Sequence, residues 1–134
     1  MMKDLTEISV MEIMHRGVVS VDIETSFQEV INTFIEFKVH AIIVTLGGEF
    51  MGVLSHSDII SNLKKHGKKI FDMTAEDIMT PKPFTIDANA SAKEAAAKMA
   101  NNHIHRLLVM SSESGKLLPI GVLSASDIIK AVAI

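Results

Sequence analysis

Two stretches of the chain, Gly52-Val-Leu-Ser55-His-Ser-Asp58-Ile-Ile and Gly121-Val-Leu-Ser124-Ala-Ser-Asp127-Ile-Ile, share eight of nine residues. Each sets a carboxylate three positions after a serine and six after a glycine. Ser-x-x-Asp is the spacing of a capping box, in which hydroxyl and carboxylate satisfy N–H groups left open by the first helical turn. Thr74-x-x-Asp77 repeats the spacing, and Ser26-x-x-Glu29 and Ser91-x-x-Glu94 give its glutamate form. Capping alone does not ask for a glycine three residues before the cap. Glycine inside a strand weakens it and marks close approach of another backbone or of a ligand. The doubled Gly-x-x-Ser-x-x-Asp therefore reads both as a helix start and as a candidate binding element.

Other reactive side chains are present without a constellation. His103-x-His105 presents two imidazoles that would share a face on a strand, but no histidine pair at i, i+4 accompanies it, so no metal site is expected. Ser55, His56 and Asp58 do not read as a catalytic Ser/His/Asp set, since adjacent residues at a helix start point to different sides. No Gly-x-Ser-x-Gly elbow, Walker phosphate loop or Gly-x-Gly-x-x-Gly fingerprint occurs. The expectation is a protein that is not an enzyme.

Composition narrows the classes further. The 134 residues are 48% hydrophobic and 22% charged, ordinary for a globular fold. The absence of cysteine excludes disulfides, thiolate metal sites and cysteine nucleophiles. A net charge of −3, with no Trp or Tyr for base stacking, argues against nucleic acid as a partner. No apolar run reaches the ~18 residues that a membrane helix needs. The N-terminus lacks the pattern of a secretory signal, so a cytoplasmic location is expected.

The elements that must position the two aspartates occur twice. Shifting the chain by 65 sets Ile13-Met14 on Ile78-Met79, Asp22 on Asp87, Ser26 on Ser91, Glu29 on Glu94, His40 on His105 and Val44 on Val109. Beyond residue 45 the shift is 69, and the four extra residues fall in the polar stretch 111–116, the signature of a hairpin loop. The pattern predicts strand 18–22, helix 26–38, strands 41–45 and 50–54 and a helix from Ser55, then strand 84–87, helix 91–101, strands 107–110 and 117–123 and helix 124–132. The order is β-α-β-β-α, twice. Gly47-Gly48 predicts a hairpin turn, Gly67 a helix C-cap, and the unbroken apolar run Ile42-Ile-Val44 a strand buried on both faces. Repeat one spans about 10–62, a connector about 63–74, and repeat two about 75–134. Lys64, Lys65, Lys68 and Lys69 read as a solvated helix end.

A β-α-β-β-α repeat closing on Gly-x-x-[Ser/Thr]-x-x-Asp resembles the CBS domains, named after cystathionine β-synthase, and two in tandem resemble a Bateman module. Asp77-Ile-Met-Thr-Pro81 and His105-Arg-Leu-Leu-Val109 strengthen the resemblance, which covers about Val10 to Val132. It implies an α/β (α+β) fold of two repeats packed by pseudo-two-fold symmetry, with clefts that bind adenosine-containing molecules. AMP, ADP or ATP come first, NAD or S-adenosylmethionine are further candidates, and Mg²⁺ would accompany only ATP. Asp58 and Asp127 would accept hydrogen bonds from ribose hydroxyls. Ser55 and Ser124 would stand at helix N-termini facing phosphate. The adenine would lie near Ser20-Val21 and Thr85-Ile86. His105-Arg106 resembles a phosphate-facing pair, whereas His40-Ala41 lacks the arginine. Met14-His-Arg-Gly17 departs from the family pattern of Met79-Thr-Pro81, and Arg16 is expected in an exposed loop, with a compensating phosphate contact as the alternative.

The resemblance also implies a homodimer formed through helices and an unidentified effector chain as target, with no membrane or nucleic-acid partner. The alternative is a module that only assembles, its aspartates serving as caps. The helix with Phe27, Val30, Ile31, Phe34 and Phe37 has apolar surface enough for either reading.

Overall fold

The computed structural model describes residues 4–111 and 118–133. The expected hairpin loop at 111–116 and the start of the strand after it lie outside the described residues, Ser111 excepted. The chain forms two compact units. One joins the residues up to Gly17 to those from Phe84 onward, and the other is Val18–Pro83.

In the Val18–Pro83 unit, Val19–Asp22 (β2) runs parallel to Ala41–Leu46 (β3), connected by helix α2 (Phe27–Phe37). β3 turns back into Glu49–Ser55 (β4) through Gly47 and Gly48, both at positive φ, as the tight turn requires. The two-residue strand Thr80–Pro81 (β5) completes the sheet, in the order β2-β3-β4-β5. Helix α3 (His56–His66) follows β4 directly, and the chain reaches β5 through a 3₁₀ helix, Gly67–Asp72, and the short helix α4 (Ala75–Ile78).

The reasons for these elements are local. Ser26 caps α2 by accepting from Glu29 N–H, Phe27, Val30 and Phe34 fall on one buried face, and Lys38 closes the helix in the left-handed region. Gly67 is the C-cap of α3, as expected. Ile42, Ile43 and Val44 are all buried, in keeping with their apolar run. Ile42, Leu54, Ile70 and Val30 anchor the core of this unit. The Phe71 ring meets Phe27 edge-on at 5.8 Å.

The other unit repeats the plan. Thr85–Asp87 (β6) is parallel to Arg106–Ser111 (β7) across helix α5 (Ala92–Asn102), and Leu118–Ser124 (β8) leads into helix α6 (Ala125–Val132). Its fourth strand comes from the start of the chain: His15–Arg16 (β1), after helix α1 (Val10–Ile13), pairs antiparallel with β8. The sheet order is β1-β8-β7-β6. Val10, Leu107, Val109 and Leu123 centre its core. Even the irregularities repeat, with a register shift after Val44 in one sheet and after Val109 in the other.

Two details differ from the sequence-based expectation. Arg16 is exposed as expected but belongs to a strand rather than a loop, because β8 offers its edge to the backbone of residues 15–16. Ser26 and Ser91 receive only the N–H of Glu29 and Glu94. The reciprocal capping box closes at Ser55/Asp58, Thr74/Asp77 and Ser124/Asp127. Glutamate carries an extra methylene and can leave its cap for solvent, whereas aspartate is short enough to be held against the turn.

Candidate functional site

Each repeated motif builds one carboxylate station. In the Val18–Pro83 unit, Asp58 occupies the third position of α3, near the positive end of the helix dipole. Its Oδ2 accepts from Ser55 N–H at 2.7 Å and from Ser55 Oγ at 2.9 Å. Its Oδ1 accepts from Thr80 Oγ1 at 2.6 Å. In the other unit, Asp127 holds the same place on α6. Oδ2 accepts from Ser124 N–H at 2.8 Å, and Oδ1 faces His15 Nε2 at 2.9 Å. The Asp127 side chain is only 7% exposed, against 57% for His15.

The partners of Oδ1 arrive by one geometric device. Thr80 follows Met79 and lies on β5, opposite Val53 of β4, while His15 follows Met14 and lies on β1, opposite Val122 of β8. The short strands come this close because of the motif glycines. A Cβ on Gly52 would stand 2.7 Å from Met79 Sδ and 2.8 Å from Thr80 O, and one on Gly121 would stand 2.5 Å from His15 O and 2.9 Å from Met14 Sδ. Gly-x-x-Ser-x-x-Asp thus has a structural logic throughout. Glycine admits the short strand, serine caps the helix, and aspartate receives both the cap N–H and the side chain the strand delivers. The close approach expected at the glycines is that of a backbone.

Thr80 and His15 were not among the candidate residues. They stand exactly 65 positions apart, in equivalent places after Ile-Met, so the repeat itself carries the signal. Read as a departure from a family pattern, position 15 did not look like a contact to position 127, because strand pairing at such a range has no local signature.

The other candidates are distributed around the two sheets. Ser20, exposed, and Val21, half-buried, lie on β2. Ser20, Ile43, Val53 and Thr80 form one row across the sheet, so Ser20 and Thr80 stand at opposite edges, about 14 Å apart at three strand spacings. Thr85, Leu108, Val122 and His15 form the matching row in the other sheet. Thr85 and Ile86 are half-buried on β6, and the Thr85 carbonyl accepts from Lys98 Nζ, a contact that the sequence did not announce. Arg106, exposed at the start of β7, is the register partner of Ser124. The backbone carbonyl of His105 accepts from Ala125 N–H at 2.7 Å, so His105, Arg106 and the start of α6 are neighbours. His40 precedes β3 at the equivalent place, where Ala41 pairs with Ser55. Among the described residues, no group of three or more His, Asp or Glu is placed to hold a metal ion.

Comparison with known families settles which family this fold represents. The CBS domain model matches residues 10–65 and again 75–134. The chain belongs to the CBS domain family. This CBS pair is 34% identical over 90 residues to an uncharacterized protein of Methanocaldococcus jannaschii, covering 67% of the chain and 20% of that protein. It spans between a fifth and less than half of the length of the curated relatives it matches. Among solved structures, an uncharacterized conserved protein from Pyrococcus horikoshii superposes with a TM-score of 0.82 at 28% identity, covering 98% of this chain and 96% of that one. CBSX2, solved in complex with AMP, superposes with a TM-score of 0.71 at 25% identity, covering 92% of this chain and 95% of that one. The CBS pair has the mixed α and β architecture of these neighbours. None of its described helices is long and apolar enough to cross a membrane.

Proposed function

We propose that this CBS pair is a regulatory module that binds an adenosine-containing nucleotide and passes its occupancy to a partner chain. AMP, ADP and ATP are the first candidates, with NAD and S-adenosylmethionine behind them and Mg²⁺ entering only with ATP. Asp58 and Asp127 accept the ribose hydroxyls. Ser55 and Ser124, at the N-termini of α3 and α6, face phosphate together with His40, His105 and Arg106, and the base lies against Ser20-Val21 and Thr85-Ile86. The protein works as a cytoplasmic homodimer and carries out no catalysis.

The observation that carries this reading is the pair of carboxylate stations. An ionised carboxylate offers about four acceptor directions, and at Asp58 three of them are taken within the unit. A diol would compete with Thr80 for Oδ1 or take the direction left over. The AMP complex of CBSX2 supports the choice of ligand class.

A second reading, a ligand-independent assembly module, draws on a different observation. Ile35 of α2, Ile60 of α3 and Ile129 of α6 are 69%, 66% and 70% exposed, apolar surface suited to a second copy. Thermal unfolding with AMP, ADP, ATP, NAD and S-adenosylmethionine separates the two. A ligand at ~100 times its dissociation constant stabilises by about 2.7 kcal/mol, several degrees of midpoint for a domain of this size. Asp58→Asn and Asp127→Asn keep a capping side chain and should lose the shift. No shift with any of the five leaves assembly as the function.

A further inference from the structure

The two carboxylates differ in one respect that changes their chemistry. Oδ1 of Asp58 is held by a threonine hydroxyl, which has no proton to lose in the physiological range. Oδ1 of Asp127 is held by an imidazole at 2.9 Å, and histidine is the side chain that gains or loses its charge between pH 5 and 8. Charged residues lie on the described elements next to His15. Arg16 is its neighbour on β1, and β8, which pairs with β1, has no ionisable side chain between Leu118 and Ser124. α6 contributes Asp127 and, further along, Lys130, and α1 contributes Glu12, which accepts from Ser9 Oγ at 3.1 Å. Asp127 is nine-tenths buried, so whether His15 is charged decides whether that site holds a neutral ion pair or a net negative acceptor.

We propose that His15 makes Asp127 a proton-controlled acceptor, so that a ligand bearing a vicinal diol binds at Asp127 more tightly at about pH 8 than at about pH 5.5, a dependence that the Thr80 hydroxyl does not confer on Asp58. The affinity half of this proposal rests on the nucleotide reading above. The coupling of His15 to Asp127 does not. Protonated His15 engages the carboxylate as a charged donor and competes with the diol. Neutral His15 is a weaker competitor for Oδ1 and no longer balances the carboxylate charge, so the charge-assisted hydrogen bonds from the diol strengthen. The gain is the difference between a charged and a neutral competing donor, which corresponds to about fivefold in affinity.

Adenosine is the suitable probe, because it carries the diol without a phosphate to titrate. Its affinity would be read at about pH 5.5 and about pH 8 from the amide signals of Ser124 and Asp127 and, separately, of Ser55 and Asp58. The ¹³C signal of the Asp127 carboxyl would be followed across the same range without ligand. The wild type should show a carboxyl step coincident with the titration of the His15 ring and about fivefold tighter adenosine binding at the higher pH, confined to Asp127. His15→Gln keeps a donor that does not titrate and should abolish both, and Thr80→His should create both at Asp58. A carboxyl signal flat through the His15 titration, or a step that survives in His15→Gln, overturns the coupling. Equal pH response at both carboxylates overturns the claim of inequality. If adenosine moves neither set of amides, the nucleotide reading and the affinity half fall together, and the carboxyl signal still decides the coupling.

Discussion

At the scale of the residue, Thr80 and His15 turn two helix caps into held carboxylates. Removing Thr80 Oγ1 in Thr80→Ala leaves Oδ1 of Asp58 without its donor, at a cost of about 0.5–1.5 kcal/mol in chemical denaturation. His15→Ala should cost more, about 1–3 kcal/mol, because Asp127 is the more buried of the two and solvent does less to replace the lost partner. A larger loss at Thr80 would contradict that ordering. Both aspartates and both serines were legible from the repeated nonapeptide. Their partners were not, since a hydroxyl 22 residues downstream and an imidazole 112 residues upstream are joined to them only by strand pairing.

At the scale of the element, the device rests on two strands of two residues each. β1 and β5 are too short to announce themselves by alternation, which is why the sequence showed three strands per repeat where the structure has four per sheet. The longer elements were legible to within about two residues because capping serines and buried apolar spacing coincide there. Helix α1 escaped notice at four residues, and α4, equally short, was marked only by its capping box Thr74-x-x-Asp77. Gly52→Ala and Gly121→Ala test the role of the short strands. Each methyl would meet backbone and methionine sulfur, so each variant should lose about 1–3 kcal/mol. Amide exchange should also quicken at Val53 and Thr80 in one case and at Val122 and His15 in the other. Unchanged exchange there would show that the glycines serve something other than strand approach. The 3₁₀ helix Gly67–Asp72 is similarly more than a link, since Ile70 is fully buried in the core of its unit. Ile70→Ala should cost about 2–5 kcal/mol by thermal or chemical unfolding.

At the scale of the whole molecule, duplication provides two stations of one design with different chemistry. The repeat and the family were readable from the sequence because the motif, the offset and the element order agree with one another. Two near-identical nonapeptides gave no reason to expect two different acceptors. That difference arises at position 15 against position 80, where an imidazole and a hydroxyl occupy equivalent places. With no Trp or Tyr in the chain, calorimetry is the direct route to the central claim. Isothermal titration with AMP should give a saturable heat in the wild type that falls at least tenfold in affinity when Asp58→Asn and Asp127→Asn are combined, a loss of about 1.4 kcal/mol or more. No saturable heat in the wild type, or an affinity unaltered in the double variant, would contradict the account.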